Sequence, residues 1–269
     1  MRLYNAARAM ASREVATHAG AAAIVAAMHA PAPPIIPPET LLLAYRSGLF
    51  PMADSRQDEE VFWVEPRQRA ILPLDSFRCS KSLMKIIKQD RFTVRVDGDF
   101  AAVIDACAQP RPDHPETWIS HVIDASYRNL HRHGFAHSVE CWRDGALVGG
   151  LYGVAFDRVF CGESMFSRAD NASKVALAWL VALMRRAGYR LLDCQFITGH
   201  LASLGAVEVS RERYLEMLRA ARAGSTLMTL PEALEAVYQA SSAAGSDAGA
   251  SGASSSPGKL IAQSFTQTS

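Results

Sequence analysis

Residues 159–195 constrain the fold of this chain more than any other stretch. They read as a strand with Glu163, an apolar helix, and a second strand with Asp193 and Gln195. The helix is apolar on all sides from Val175 to Met184, which is typical of a buried helix. Two carboxyl groups and an amide therefore lie on apolar strands, where a polar group is costly unless it is paired. We expect these three side chains to belong to a functional site.

Size, charge and cysteine content limit the classes of function. The 269 residues suffice for one large domain or two unequal ones, and the formal net charge is +1. Any nucleic acid would therefore be bound through a local basic patch. The five cysteines are odd in number, widely spaced and without a CxxC pair, which argues against a disulfide framework and a zinc ribbon and indicates a cytoplasmic protein.

The ends of the chain differ in composition from its middle. No apolar run approaches the ~20 residues that span a bilayer, and residues 1–33 lack the order of a secretory signal. We predict a disordered or weakly helical extension over 1–33, a small N-terminal domain over 34–67 and a catalytic domain over 68–236. The Ser/Ala/Gly-rich residues 237–269 have few apolar groups and are predicted to be disordered.

The order of the predicted elements indicates an acyltransferase-type sheet. Three strands, joined by turns at 144–145 and 157–158, precede the long helix and a further strand. Gly149, Gly150 and Gly153 inside the middle strand indicate a bulge or the close approach of another group. The predicted fold class is α/β (α+β), with a GNAT-like acyltransferase domain and short added helices.

The usual acyl donor of that fold class is coenzyme A, whose pyrophosphate is bound by a glycine-rich loop at the start of the long helix. Here residues 167–173 read SRADNAS and contain no glycine that would let an amide approach a pyrophosphate. We therefore expect a different acyl donor. A metal site is not expected either, because His131, His133 and His137 have no cysteine or carboxylate at the usual ligand spacing.

Three lysines share one face of a helix predicted over 75–89. Lys81, Lys85 and Lys88 are spaced at i, i+4 and i+7, with the apolar residues largely opposite. A solvated helix face and a phosphate-binding stripe both fit this spacing.

Five strings of the sequence resemble leucyl/phenylalanyl-tRNA–protein transferases over residues 39–220. They are LAYRSGLFPM (43–52), TWIS (117–120), FAHSVECWRDGALVGGLYGV (135–154), FCGESMFSRADNASK (160–174) and LLDCQFITGHLASLGA (191–206). The resemblance also relates the fold to the peptidoglycan aminoacyl ligases. The sequence departs from the pattern of that family at two places. Met52 stands where many relatives have tryptophan, and a proline run at 31–38 replaces a glycine-rich segment.

The resemblance implies a reaction. A leucyl or phenylalanyl group, with methionyl as a third candidate, passes from charged tRNA to the N-terminal amine of a protein that begins with Arg or Lys. The product is marked for degradation as an N-degron, and no cofactor or metal is needed. The implied partners are aminoacyl-tRNA and the acceptor protein, with no membrane and a monomeric enzyme. The alternatives are an acyl-CoA-dependent N-acetyltransferase, a peptidoglycan aminoacyl ligase, or a non-catalytic tRNA- or degron-binding module.

The resemblance also implies roles for particular residues. Asp193 and Gln195 form the catalytic pair, in which Asp193 orients and polarises the Gln195 amide. The side-chain oxygen of Gln195 then receives a proton from the attacking amine, or mainly orients that amine. Glu163 meets the α-ammonium group of the donor or its terminal ribose. Trp118 stacks on the terminal adenosine, with Tyr45 as a second aromatic residue at the mouth of the site.

Two larger sets of residues complete the implied site. The tRNA body is bound by Lys81, Lys85 and Lys88. The donor side chain occupies a C-shaped apolar pocket, although apolar residues on this stretch also suit an ordinary core. The predicted lining residues are Phe160, Met165, Leu151, Leu180, Met184 and Leu192.

Overall fold

The computed structural model of the chain describes residues 35–110, 116–246 and 256–266. All of them fall within one unit of mutually contacting residues, Pro34–Ser269. The predicted extension over 1–33 lies outside the described residues, and the predicted boundary between residues 67 and 68 stays a prediction.

A mixed seven-stranded sheet forms the centre of the fold, and it confirms the predicted α/β class. Its strand order is β4-β5-β6-β7-β8-β3-β9, and a separate two-stranded sheet pairs β1 with β2. The strands are β1 (Phe50–Met52), β2 (Phe62–Val64), β3 (Gln68–Ile71), β4 (Thr93–Val96), β5 (Ala136–Arg143), β6 (Ala146–Phe156), β7 (Val159–Ser167), β8 (Leu191–Gln195) and β9 (Val207–Ser210).

Helices and a single 3₁₀ turn at Leu74–Ser76 connect these strands in the described part of the chain. The helices are α1 (Pro38–Arg46), α2 (Lys81–Lys88), α3 (Phe100–Ala108), α4 (His121–Arg132), α5 (Ala172–Ala187), α6 (Gly199–Ser203), α7 (Arg211–Arg222), α8 (Leu230–Ser246) and α9 (Pro257–Ser264). Among them no helix is long and apolar enough to cross a membrane.

The predicted meander, long helix and following strand are confirmed. Strands β5, β6 and β7 pair antiparallel in sequence, and α5 then leads into β8, which pairs parallel with β7. That parallel ladder is short, because it ends where Cys161 pairs with Asp193. Beyond this point β7 and β8 diverge, and a cleft opens between their carboxyl ends.

The helices pack on both faces of the sheet. Leu151 on β6 belongs to a core that includes Leu177 and Leu180 of α5. The next residue, Tyr152, instead has edge-to-face ring contacts with Phe100 of α3 and Tyr127 of α4. Because neighbouring residues on a strand point to opposite faces, α5 lies on one face and α3 with α4 on the other.

Glycines in β6 allow close packing against its neighbours, as predicted. A Cβ on Gly149 would lie 2.5 Å from Cβ of Ala172, and one on Gly153 would lie 2.2 Å from the carbonyl oxygen of Cys161. The β6–β7 register also shifts between Tyr152 and Gly153, which marks a bulge.

The helix predicted over 75–89 is wrong in its first half. The structure has α2 only over Lys81–Lys88, with the Ser80 side chain accepting a hydrogen bond from the Leu83 amide. Before it, the 3₁₀ turn at Leu74–Ser76 leads into residues 77–80, which have no regular structure because the Arg78 amide donates to the Leu204 carbonyl at 2.9 Å and the Phe77 side chain is buried. Tertiary contacts therefore override local helix propensity here.

The prediction of a disordered tail over 237–269 is also wrong for the described residues. Helix α8 crosses position 237, and Tyr238 donates its hydroxyl to the Val94 carbonyl. Helix α9 buries Ile261 against the main core, and the Gly258 amide donates to Asp90. A few well-placed apolar residues are sufficient because Gly258 lets α9 approach α2 closely, with a virtual Cβ only 2.0 Å from the Ile87 carbonyl oxygen.

Candidate active site

A cavity of about 800 Å³ occupies the cleft between β7 and β8. It reaches both faces of the sheet, because Leu177 and Leu180 of α5 and Ala106 of α3 all contribute to its wall. The remaining lining residues are Gln109, Pro110, Leu151, Tyr152, Gly162, Glu163, Ser164, Met165, Phe166, Ser167, Arg168, Ser173, Leu192, Cys194, Thr198, His200 and Leu201.

Glu163 is the buried carboxyl group of this cavity, and three side chains hold it. Its Oε1 accepts hydrogen bonds from the Tyr45 hydroxyl at 2.8 Å and from Nε2 of Gln195 at 2.9 Å. Its Oε2 accepts from the Tyr127 hydroxyl at 3.1 Å, and the two tyrosine hydroxyls also contact each other. The carboxyl group is therefore fixed in orientation, with α1, α4 and β8 each supplying one donor.

Burial raises the pKa of Glu163 to about 7. The hydrogen bonds from Tyr45 and Gln195 act in the opposite direction, while the nearby negative charge of Asp193 raises this pKa further. A carboxyl group with this pKa exchanges a proton readily at neutral pH, which suits a general acid or base.

Asp193 forms a completely buried ion pair with Arg69. The two side chains are 0% and 1% exposed, and Arg69 donates from Nε to Oδ1 at 2.8 Å and from Nη2 to Oδ2 at 2.6 Å. The Tyr214 hydroxyl donates to Oδ2 at 2.9 Å, and the backbone amide of Gln195 donates to Oδ1 at 2.8 Å. These hydrogen bonds fix the end of β8 against β3 and α7.

Arg69 was not predicted from the sequence. Its guanidinium lies between the rings of Phe50 and Tyr214, 4.6 Å from each centroid, and donates to the Gly48 carbonyl. Burial opposes its charge, but Asp193 raises the pKa of Arg69 above its usual value. No local signal identifies it, because its partners come from distant parts of the chain.

Gln195 has a left-handed backbone, with φ of 62°. This conformation is uncommon outside glycine, and here the Asp193–amide hydrogen bond stabilises it. The turn directs the carboxamide toward Glu163 on β7. Asp193 therefore contacts the backbone of Gln195 and not its side chain, so the predicted polarisation of the Gln195 amide by Asp193 is wrong.

Four of the six predicted pocket residues line the cavity: Leu151, Met165, Leu180 and Leu192. Phe160 and Met184 do not. Both are fully buried in the core beneath the cleft, Phe160 within the β7–β8 ladder and Met184 in the second half of α5.

The structure adds Leu177 to the apolar wall, one helical turn before Leu180. The spacing of these two residues on one face of α5 could have identified Leu177 in the sequence.

The two predicted aromatic residues differ in position. Tyr45 is fully buried and holds Glu163, so its predicted place at the mouth of the site is wrong. Trp118 is half-buried in the segment before α4 and is not a lining residue of the cavity. Its stacking on an adenosine stays a prediction.

The three predicted tRNA-binding lysines lie together on α2. Lys81, Lys85 and Lys88 are all exposed, while Leu83 and Ile87 on the other side of the helix are buried. The structure thus places three ammonium groups on one solvent-facing side, as the spacing predicts.

Two buried polar atoms in the wall of the cavity have no hydrogen-bond partner among the described residues. They are the Tyr152 hydroxyl and Nε2 of His200. Burial and the charge of Lys174 lower the pKa of His200, which favours the neutral ring. Buried polar groups left unpaired cost about 1–3 kcal/mol each, so both atoms are suited to contact a bound ligand.

The clustered histidines have structural roles. His131 stacks on Phe100 and contacts the Ala136 carbonyl through Nδ1, while His137 pairs with Asp97 at 2.7 Å. In the described ranges no group of three or more His, Cys, Asp or Glu residues is placed to hold a metal ion.

An apolar cavity with a pKa-shifted carboxyl group in its wall suits the transfer of a hydrophobic acyl group. The cavity lies between the carboxyl ends of two parallel strands, and residues from both faces of the sheet line it beside Glu163. Together, fold and site define an acyltransferase of α+β class.

Comparison with known proteins gives the particular family. Residues 71–219 match the family described as leucyl/phenylalanyl-tRNA protein transferase, and residues 36–67 match the N-terminal domain of the same family. The chain belongs to the leucyl/phenylalanyl-tRNA–protein transferase family and is an aminoacyltransferase.

Several proteins named leucyl/phenylalanyl-tRNA–protein transferase are similar over most of the chain. The one from Novosphingobium aromaticivorans is 55% identical over 258 residues, which cover 88% of this chain and 98% of that protein. Those from Zymomonas mobilis and Rhizorhabdus wittichii are 59% and 61% identical, and the matches cover 70% and 68% of this chain and 70% and 74% of those proteins.

Two solved structures align with the chain at low sequence identity. L-PGS from Bacillus licheniformis aligns with a TM-score of 0.33 at 14% identity, over 61% of this chain and 55% of that one. The C-terminal domain of a putative lysylphosphatidylglycerol synthetase from Agrobacterium fabrum aligns with a TM-score of 0.31 at 12% identity, over 74% of this chain and 68% of that one.

Proposed function

We propose that the protein transfers a leucyl or phenylalanyl group, with methionyl as a third donor, from charged tRNA to the N-terminal amine of proteins that begin with Arg or Lys. The product would then be degraded as an N-degron substrate. Family membership supports the class of donor and acceptor. The observation on which the mechanism rests is the 2.9 Å hydrogen bond that joins Gln195 to Glu163 at the wall of the cavity.

The donor side chain occupies the apolar part of the cavity in this proposal. Leu151, Met165, Leu177, Leu180 and Leu192 surround it with flexible or branched aliphatic groups. Such a wall discriminates weakly between large apolar side chains, since one methylene is worth about 1–3 kcal/mol. It therefore fits a donor range of Leu, Phe and Met.

The chemistry requires one bond exchange. The acceptor nitrogen forms a bond to the ester carbon, and the bond from that carbon to the ribose 3′ oxygen breaks. One proton leaves the amine and one proton joins the 3′ oxygen, so no further reactant is needed. The enzyme has to orient the amine, hold its proton and return it to the leaving oxygen.

Two residues divide that work in the proposed mechanism. Gln195 donates from Nε2 to Glu163, and its Oε1 accepts no hydrogen bond from the residues that the structure describes. That oxygen orients the incoming amine. An amide is too weak a base to take the proton, so Glu163, with a pKa of about 7, receives it and passes it to the 3′ oxygen.

Asp193 acts as a positioning residue in this mechanism. It holds the strained backbone of Gln195 through one amide hydrogen bond and anchors β8 to Arg69 and Tyr214. The cytoplasm is the expected location, because aminoacyl-tRNA is the donor and the five cysteines form no disulfide.

A transfer assay tests the proposal. The protein is incubated with radiolabelled Leu-tRNA and peptides that begin with Arg, Lys or Ala, with and without ribonuclease. We expect label on the Arg and Lys peptides, none on the Ala peptide, and slower transfer after ribonuclease, which leaves at most short aminoacyl fragments as donors. Transfer from free leucine and coenzyme A, or no transfer from any donor, would overturn it. Parallel assays with Asp193→Ala and Gln195→Ala test the assigned roles, and near-normal rates in both would reject them.

A further inference from the structure

One wall of the cavity is cationic. Arg168, at the end of β7, lines the cavity, and its guanidinium lies over the Phe166 ring at 5.2 Å. Its hydrogen-bond partner is the neutral amide oxygen of Gln109, at 3.1 Å. The ion pairs among the described residues include neither Arg168 nor the half-buried Lys174.

His200 faces the same side of the cavity from α6. Lys174 follows Ser173, a lining residue of the cavity, in the first turn of α5, and burial together with the charge of Lys174 lowers the pKa of the His200 imidazole. The buried Nε2 of His200 has no partner among the described residues. Arg168 and His200 thus line the cavity, Lys174 follows the lining residue Ser173, and neither cation has an ion-pair partner among the described residues. Two such cations and one unpaired ring nitrogen are the composition of an anion site.

Arg78 supplies a further cation where α6 meets the segment before α2. It is exposed, its amide donates to the Leu204 carbonyl directly after α6, and its side chain packs against Gly205. It precedes α2, where Lys81, Lys85 and Lys88 are exposed. Arg78 therefore connects the lysine-bearing helix α2 with α6, the helix that carries His200.

We propose that Arg168, Lys174 and His200 form a subsite for the phosphodiester groups at the 3′ end of the donor RNA. The inference deepens the proposed function and rests on it, since it names what the site recognises besides the aminoacyl group. The lysines of α2 would bind phosphates further along the same RNA. A single strand that enters between α5 and α6 would then place its terminal ester beside Glu163.

Three donors that contain increasing numbers of phosphodiester groups distinguish the contribution of this subsite from that of the α2 lysines. Leucyl-adenosine has no phosphodiester, a leucyl-CCA trinucleotide has only those nearest the ester, and Leu-tRNA has all of them. For the double variant Arg168→Gln and Lys174→Gln we expect kcat/KM to fall about tenfold with leucyl-CCA and Leu-tRNA. With leucyl-adenosine we expect a change of less than about twofold, since this donor has no phosphate for the subsite to bind.

Matched variants show whether charge at this position is the cause. Arg168→Lys keeps the charge and should retain most of the wild-type activity with leucyl-CCA. Arg186→Gln removes an exposed cation at the other end of α5, about 18 Å from Lys174 at 1.5 Å per residue, and should leave all three donors unaffected. Charge reversal of the three α2 lysines should lower activity with Leu-tRNA but not with leucyl-CCA or leucyl-adenosine.

The salt dependence of binding gives a readout independent of turnover. The fluorescence anisotropy of a labelled CCA trinucleotide without an aminoacyl group is measured with the wild type and the double variant at several salt concentrations. We expect the slope of log affinity against log salt to decrease by ~0.7 for each phosphate that the variant no longer binds. Equal losses with all three donors, or an unchanged slope together with normal use of leucyl-CCA, would overturn the subsite. No transfer by the wild type from any donor would instead overturn the proposed function.

Discussion

Nε2 of Gln195 lies 2.9 Å from Oε1 of Glu163, so side chains join β7 and β8 just beyond the point where their backbone ladder ends. The carboxyl group in this bridge is buried, and burial raises its pKa to about 7. A group that titrates in this range has a measurable effect on the rate at physiological pH.

Replacement of Glu163 with Gln should remove one of two ionisations from the pH–rate profile. In the wild type kcat/KM should rise with pH through the ionised Glu163, with an apparent pKa of about 7, and through the free α-amine of the peptide, with a pKa of about 7.7–8.0. In the variant we expect only the ionisation of the peptide amine to remain and kcat to fall by at least ~100-fold. Initial rates with leucyl-adenosine and an Arg peptide, taken across the neutral range, measure both. Persistence of both ionisations in the variant would exclude Glu163 as the source of either.

Stability should depend on the same group with a defined sign. The folded pKa of about 7 exceeds the ordinary 4.5, so between these values the folded state binds more protons than the unfolded state. The free energy of unfolding contributed by Glu163 should therefore fall as pH rises from 4.5 to 7 and stay constant above. Urea denaturation of Glu163→Gln should lack this part of the pH dependence, and an identical profile in both proteins would contradict the raised pKa.

Removal of Arg69 should be much more costly than removal of an exposed arginine. Arg69→Met leaves the Asp193 carboxylate buried without a counter-charge, which typically costs about 3–5 kcal/mol in the free energy of unfolding. The matched control is Arg211→Met, whose partner Glu65 is 40% exposed and for which we expect less than ~1 kcal/mol. Equal effects of the two variants on urea denaturation would show that the buried pair has no special role.

Residues of the cavity wall and of the core beneath it should have different effects on donor choice. Leu177→Ala enlarges the cavity and should shift the ratio of kcat/KM toward Phe over Leu by about tenfold. Phe160→Leu changes a core residue that does not reach the cavity, and it should lower stability while leaving that ratio within about twofold. Competition between the two charged tRNAs measures the ratio. The same shift in both variants would contradict the assignment of Phe160 to the core.

Charge reversal on α2 should affect only donors that contain the tRNA body. For Lys81→Glu with Lys85→Glu and Lys88→Glu we expect weaker Leu-tRNA binding and a smaller salt slope, because each phosphate contact contributes about 0.9 to that slope on a duplex. Leucyl-adenosine should be used normally. Reversal of Arg132, Arg186 and Arg219, all exposed, is the matched control for net charge. If both triple variants weaken tRNA binding equally, the lysines of α2 are not a specific tRNA-binding site.

The packing of α9 against α2 should depend on Gly258. Gly258→Val would place a Cβ 2.0 Å from the Ile87 carbonyl oxygen and force α9 away from α2. We expect faster proteolysis after residue 246 and a lower Tm. Gly199→Ala is the control, because its Cβ would meet nothing within 4 Å. Unchanged proteolysis in the valine variant would show that α9 does not dock as described.

Local pattern predicted the parts of the fold whose signals are local. Alternation, tight turns and the apolar run over Val175–Met184 identified β5 to β8 and α5 in the correct order. Glu163 and Gln195 were recognisable as polar groups on apolar strands. The three lysines of α2 followed from helical spacing alone.

The missed features depend on distant residues. Arg69 looks like one charged residue in a short strand, and only the tertiary fold places Phe50 and Tyr214 on either side of it. The left-handed backbone of Gln195 cannot be predicted from the strand pattern, because residues two apart on a regular strand, such as Asp193 and Gln195, share a face. Composition likewise predicted disorder for α9, since it carries no information about the close contact at Gly258.

The end of the β7–β8 ladder at Cys161 and Asp193 also sets the size of the site. Each further backbone pair along these strands would close about 3.3 Å of the cleft, whatever side chains line it. Related enzymes could therefore accept different aminoacyl groups because the β7–β8 ladder ends at a different residue pair, with the apolar wall unchanged. A comparison of donor preferences should consider where the two strands separate before it considers which residues face the substrate.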